Sequence, residues 1–248
     1  MKILVCISSV PDTTSKINFT ADKSAFDKNG IQWVINPLDE FALTKAIKLQ
    51  ESQGATVTVL NVGTSETEAV IRKALAIGAN DAIRVNIEPK DSFSTAKEIA
   101  NIAQNGGYDL ILCGKESIDY NGGSVPGMVA QLLGKSFVNA SVGLEIEGSE
   151  AKIVREIEGG KETVSVNLPA VIAGQKGLVD EKELIIPNMR GIMSARTKPL
   201  QVVEASSSEV KVQSVSFDSV PARAAVKLVS ADNLDELVRL LHEEAKVI

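Results

Sequence analysis

Residues 109–134 read DLILCGKESIDYNGGSVPGMVAQLLG, and the chemistry they suit is the holding of an anion. An apolar run, 110–113, ends at Gly114. A polar loop follows with Lys115, Glu116, Ser117, Ile118, Asp119, Tyr120 and Asn121, then the adjacent Gly122 and Gly123. Ser124 and Val125 open a helical pattern that closes at Gly134. Glycines let a backbone approach a bulky anion, and a helix start offers unpaired N–H groups to phosphate. Gly-x-Gly-x-x-Gly is absent, and so is the Walker pattern with its Lys-Ser/Thr end, which excludes an ordinary dinucleotide fingerprint and a P-loop. The alternative reading is a plain strand-to-helix connection made of turn-forming residues.

Equipment for catalysis is sparse. The lone histidine, His242, precedes Glu243 and Glu244 in the last helical stretch, which excludes any mechanism or metal site needing several imidazoles. Asp12 is a candidate base without an evident partner. Cys6 and Cys113 each sit in an apolar run and read as buried core thiols rather than a reactive pair. No catalytic residue and no metal ligand is expected.

The elements that position the loop alternate strand and helix. Residues 2–8 suit a central buried strand. Asn36-Pro37-Leu38-Asp39 predicts a helix start, with Asn36 as N-cap, Pro37 in the first turn and Asp39 as the reciprocal cap. Phe41, Ala42, Ala46, Ile47 and Leu49 then follow a helical period, and Gly54 ends it. A strand is predicted over 56–62, with Val62 at its end. Ser65 and Glu68 read as a capping box for a helix running to Gly78. A strand at 82–85, a helix at 94–104, a strand at 110–113 and a helix at 121–133 complete the alternation. Such a rhythm implies a parallel sheet with right-handed crossovers. The expected fold class is α/β: a doubly wound, mostly parallel, Rossmann-like sheet that holds a nucleotide or similar anion (an adenine nucleotide by the family resemblance given below), with a small antiparallel addition and an extended C-terminal arm. Ligands of such sheets bind beyond the carboxyl ends of the strands, which is where the glycine loop falls.

After Gly134 the pattern changes. Residues 142–148, 151–157 and 162–168 are β-rich, separated by Gly148-Ser149 and Gly159-Gly160, and predict antiparallel strands. Residues 168–173 read as a buried strand. The expected organisation is a nucleotide-binding domain over 1–176 with a β-meander at 140–168, a functional or linking segment at 177–200 (a partner-recognition loop by the family resemblance given below), and an arm at 201–248 whose terminal helix packs on a partner subunit or on its own domain. The 177–200 stretch lacks periodicity, and such segments in compact domains are usually functional. The tail from Ser230 carries Leu234, Leu237, Val238 and Leu241 on a helical face.

The 248 residues carry a net charge of −6, which argues against nucleic acid as the main partner, since phosphate neutralisation needs a basic face. No segment approaches the ~20 apolar residues that span a bilayer, and MKILVCISSV is too short in its apolar run for a signal peptide. No membrane insertion and a cytoplasmic location are expected.

Several motifs occur in a fixed order: residues 5–13 (VCISSVPDT), the Asn36-Pro37 opening, Gly114-Lys115-Glu116-Ser117-Ile118-Asp119, Leu168-Pro169-Ala170-Val171, and Ile186-Pro187-Asn188 before a basic stretch. Together they make the chain resemble the beta subunit of electron transfer flavoproteins over its whole length. The resemblance implies a heterodimer with an alpha subunit, an electron carrier rather than an enzyme. It implies FAD held mainly by the alpha subunit, here near Thr13 and Leu38, and electrons passing from acyl-CoA or related dehydrogenases to a quinone oxidoreductase or another acceptor. It also implies a structural AMP in this chain, touching Cys6, Asn36, Pro37, Leu38, Asp39, Val62 and residues 114–125. Asn121-Gly122-Gly123-Ser124-Val125 departs from the phosphate loops familiar in the family. Residues 185–200 resemble the family's recognition loop, with Ile185, Ile186, Pro187, Asn188 and Met189 as the docking residues and Ile186 as the apolar anchor. Two alternatives stay open: a bifurcating-type subunit with a second FAD in place of AMP, and a stand-alone nucleotide-binding module of the stress-protein type.

Overall fold

A computed structural model describes residues 1–206, 209–223 and 225–248. The chain divides into two compact units, residues 1–17 with 28–215 and residues 18–27 with 216–248.

The first unit is an α/β sheet with helices on both faces. Its elements in order are β1 (Lys2–Cys6), β2 (Ser9–Pro11), β3 (Trp33–Ile35), α1 (Pro37–Gln53), β4 (Thr56–Val62), α2 (Glu68–Ile77), β5 (Asp81–Asn86), α3 (Ser92–Gly106), β6 (Leu110–Gly114), α4 (Val125–Leu133), β7 (Ser136–Glu147), β8 (Glu150–Ile157), β9 (Gly160–Asn167), β10 (Ala170–Gly174), α5 (Met189–Ala195) and β11 (Leu200–Glu204). The nine-stranded sheet has the order β11-β5-β4-β1-β6-β10-β7-β8-β9. All its pairs are parallel except β7–β8 and β8–β9. β2 and β3 form a separate antiparallel pair.

Alternation along the strands divides the core into two. Ile3 and Val5 of β1 and Leu110 and Leu112 of β6 pack with α1 and α2 on one face. Leu4 and Cys6 of β1 and Ile111 and Cys113 of β6 pack with α3 and α4 on the other. Successive side chains of a strand point to opposite faces, so a central strand covered on both sides must be apolar throughout. The chain winds outward from β1 through β4 to β5, then returns to β6 on the other side of β1. That reversal opens a crevice at the carboxyl ends of β1 and β6.

Several expectations need correction. Asn36 makes no side-chain cap on α1. The Ser65–Glu68 capping box is absent, because Ser65–Thr67 forms a 3-10 turn and α2 starts at Glu68 without a side-chain cap. The cap of α3 is instead Asp91, which closes a capping box with Ser94, so the helix begins at Ser92 rather than 94. β7 starts at Ser136 rather than 142. Its first half pairs parallel with β10 and its second half antiparallel with β8, and the positive φ of Ala140 sits where the partner changes. Residues 201–204, expected in the arm, belong to the edge strand β11. Beyond it, Glu98 accepts the N–H and hydroxyl of Ser206, and Asp91 accepts the N–H groups of Lys211 and Val212. Residues 177–200, expected without regular structure, contain a 3-10 turn at Glu181–Glu183 and the helix α5, capped by Asn188.

In the second unit, Phe19 stacks on Phe217 with centroids 5.2 Å apart, and Lys23 pairs with Asp218. It ends in α6 (Leu234–Arg239), capped by Asn233 and continued by a π-helical turn at Leu240–Glu244. Leu234, Leu237 and Val238 are exposed on α6.

Leu112 is fully buried in the central strand β6. Leu112→Ala should therefore destabilise the fold by about 2–5 kcal/mol, read as a lowered midpoint in denaturant unfolding. A cost below about 1 kcal/mol would contradict the packing described.

Candidate functional site

The crevice is fastened by two polar side chains from the start of α1. Asn36 is 1% exposed. Its side chain donates to the carbonyl of Glu116 at 2.9 Å and accepts from the N–H of Ile118 at 3.2 Å. Asp39 accepts the N–H of Ser8 and the N–H of Gly114, each at 2.7 Å. One carboxyl thus ties the exit of β1 to the exit of β6, on either side of the point where the winding reverses. A Cβ on Gly114 would lie 2.4 Å from the Asp39 carboxyl and 2.9 Å from the Leu38 Cβ, so only glycine fits there. Burial pushes the Asp39 carboxyl up to about 7, opposed by the N–H groups of Ser8 and Gly114 and by Asn36.

The rest of the rim is built the same way, by side chains on backbone. Asn61 donates to the carbonyl of Ile7 and accepts from the Thr67 hydroxyl, joining the ends of β1 and β4 beside Val62. Arg84, 4% exposed, donates to the carbonyl of Gly63 and to the Asn86 side chain. Lys115 donates its N–H to Gly174 at the end of β10. Asn61 and Arg84 were not singled out from the sequence. A polar residue near the carboxyl end of an otherwise apolar strand, as in TVTVLNV, is the signal that finds such groups.

The glycine loop reaches α4 through two left-handed residues, Asn121 (φ +49°) and Gly123 (φ +51°). Ser124 is right-handed and makes no side-chain cap. Opposite-handed neighbours aim successive N–H groups to one side, the geometry of an anion nest. Among the described residues, the N–H groups of Gly122, Gly123 and Ser124 have no hydrogen-bond partner. Gly122 and Gly123 are exposed with open space about them; the nearest atom to a Cβ on Gly122 would be the Ser92 hydroxyl at 3.6 Å. Ser117 accepts the N–H of Asn121 through its carbonyl, and Asp119 accepts the N–H of Tyr120. Tyr120 is 69% exposed.

Cys6 and Cys113 are buried free thiols on the same sheet face. The neighbouring Cys6 and burial raise the Cys113 thiol well above its usual range, which keeps it protonated and unreactive. Asp12 turns its carboxylate onto Thr14. Among the described residues no group of three or more His, Cys, Asp or Glu side chains suits a metal ion.

The family model described as the electron transfer flavoprotein domain matches residues 24–208. The chain is 34% identical to an electron transfer flavoprotein subunit beta of Bacillus subtilis, with 100% of both chains covered. It is 37% identical to that of Syntrophomonas wolfei over 91% of this chain and 88% of the relative. It is 31% identical to that of Mus musculus over 100% and 99%. The chain belongs to the electron transfer flavoprotein beta-subunit family. As a member it is an electron-transfer subunit rather than a catalyst in its own right.

The segment resembling the electron transfer flavoprotein recognition loop is not uniform. Ile185 is half-buried against the core and donates its N–H to the Thr44 hydroxyl at 3.4 Å. Ile186 is 84% exposed and Met189 73%. Pro187 is half-buried, and Asn188 caps α5 through the N–H of Gly191. Of the two isoleucines, Ile185 therefore folds back on the subunit and Ile186 does not. Among the described residues no helix is long and apolar enough to cross a membrane.

The Asp39 carboxyl gives the site a pH signature. Its value rises from 3.8 to about 7 on folding. Between about pH 4 and pH 7 the folded chain keeps a proton that the unfolded chain releases, so this group's contribution to stability falls as pH rises. Thermal melts should find the wild-type advantage over Asp39→Asn larger at pH 5 than at pH 8. An advantage that grows with pH would contradict the assignment.

Proposed function

We propose that this chain pairs with an electron transfer flavoprotein alpha subunit as a heterodimer. The pair would carry electrons from acyl-CoA-type dehydrogenases to a quinone oxidoreductase or another acceptor. The flavin, when bound, supplies the electron chemistry, and the alpha subunit holds most of it, with this chain contributing a wall near Thr13 and Leu38. What this chain's own residues do is hold a structural adenylate and dock redox partners.

The crevice suits AMP. The unpaired N–H groups of Gly122, Gly123 and Ser124 and the start of α4 provide donors for a phosphate. Asn36, Pro37, Leu38 and Asp39, with Cys6 and Val62 at the strand ends, form the opposite side, and Asn36 and Asp39 spend their polar atoms on backbone groups. Lys115, Glu116, Ser117, Ile118, Asp119, Tyr120, Asn121 and Val125 complete the loop. No histidine stands among the described residues of this rim, and the Cys113 thiol stays protonated, which favours an architectural ligand over a reacting one.

The observation that carries the docking role is Ile186, a large apolar side chain 84% exposed beside a half-buried Ile185 and Pro187. Burying one such side chain in a partner's pocket is worth about 1.5–3 kcal/mol, enough for recognition and small enough for rapid release. Arg190 and Arg196 flank it and suit an acidic partner surface.

Ile186→Asp should slow flavin reduction by an acyl-CoA dehydrogenase about tenfold or more, with flavin content unchanged. Equal stopped-flow rates would count against the docking role. The apolar face of α6 suits the alpha subunit. Leu237→Asp should therefore weaken subunit association, read by sedimentation at decreasing concentration; an unchanged association would remove α6 from the interface.

A further inference from the structure

The helix α5 has seven residues. Helices this short are not stable alone in water and need packing to persist. Ile186, Met189 and Met193 are mostly exposed, so they contribute little to holding it. Two cations, one on α2 and one in the segment that follows α5, fasten the two helices together. Arg72 of α2 donates through Nη1 to the carbonyls of Ala195 and Lys198, both at 2.8 Å. Lys198 donates through Nζ to the carbonyls of Leu75 at 2.9 Å and Ala79 at 2.6 Å.

Each cation satisfies one carbonyl in the last turn of a helix, Ala195 of α5 or Leu75 of α2, where the dipole favours positive charge, and one just beyond it, Lys198 or Ala79. The approach is close. A Cβ on Gly191 would lie 2.4 Å from the carbonyl oxygen of Ala76, and Ala195 is 3% exposed against the same core. Burial lowers the Lys198 ammonium below its usual value, as befits a cation committed to fixed carbonyls rather than to water.

We propose that Arg72 is a positioning residue for partner docking: with Lys198 and Gly191 it locks α5 onto α2, so that Ile186 and Met189 are presented in one fixed arrangement before a partner arrives. The proposal rests on the reading of residues 185–189 as the docking segment. Its physical effect is preorganisation. A segment already ordered does not lose its conformational freedom on binding, and the affinity gained comes from that saving rather than from a contact with the partner. Arg72 spends its Nη1 on the carbonyls of Ala195 and Lys198, so its loss should alter how well the carrier is captured and not the rate once captured.

The test uses the heterodimer with its co-purified alpha subunit, and an acyl-CoA dehydrogenase reduced by its acyl-CoA as the electron donor. Wild type, Arg72→Gln, Gly191→Ala and Ile186→Asp are compared in steady-state assays and in hydrogen exchange over residues 189–195. Arg72→Gln should raise the KM for the carrier about fivefold or more, leave kcat within about twofold, and accelerate exchange over 189–195. Gly191→Ala, which displaces α5 without removing a charge, should do the same, and it carries the measurement if Arg72→Gln does not fold. If Ile186→Asp impairs capture while Arg72→Gln and Gly191→Ala leave both KM and exchange unchanged, the lock is overturned and the docking segment stands. A loss confined to kcat also overturns the lock. If Ile186→Asp has no effect, the docking reading fails and the proposal with it.

Discussion

Asp39 places a carboxyl where water does not reach and gives it two backbone N–H groups to hold, Ser8 from the exit of β1 and Gly114 from the exit of β6. Those strands lie on the two sides of the reversal in winding, and nothing in a parallel ladder fixes how their exit loops diverge. The carboxyl does. Asn36, one turn earlier, fixes the next part of the same loop through Glu116 and Ile118. The two side chains are therefore worth more to the site than their number suggests. They convert the start of α1 into a template for the glycine loop and leave the N–H groups of Gly122, Gly123 and Ser124 unspent. A buried carboxyl without a cation would ordinarily be costly; two charge-assisted backbone donors and a raised proton affinity offset that cost.

Much of this was legible in the residues, and the failures share a cause. Most of the strand–helix alternation through β6 could be read because the central strands are continuous apolar runs and the helices between them stop at glycines, Gly54, Gly78 and Gly107. The loop at 114–125 could be located for the same reason. The role of Asn36-Pro37-Leu38-Asp39 was misassigned. A local pattern that serves as a helix cap in isolation was recruited instead by a loop about 80 residues away, and no local rule distinguishes the two uses. β7 was truncated because it changes partners at Ala140, so no single alternation runs through it. β11 was missed as part of the sheet because an edge strand is only half covered, and Leu200–Glu204 shows the weak pattern that follows. Asp91 was overlooked as the cap of α3 although its pairing with Ser94 is local; its second oxygen serves Lys211 and Val212.

The two proposed tasks fall on separate parts of the chain. The crevice faces the carboxyl ends of the central strands and is stabilised by side chains that bond only to this chain's own backbone. The exposed Ile186 and Met189, proposed for docking, lie just before and at the start of a short helix fastened to α2 by Arg72 and Lys198. Substitutions in one region need not disturb the other, which suits the proposed carrier, whose internal architecture persists while it engages partners briefly.

The central claim is that the crevice fastened by Asn36 and Asp39 holds an adenylate with an architectural role, beside a flavin held chiefly by the alpha subunit. Acid denaturation of the purified heterodimer, followed by chromatographic quantitation of the released nucleotides, tests it directly. The account predicts one AMP and one FAD per heterodimer. Two FAD with no AMP, or no adenine nucleotide besides a single FAD, would contradict it.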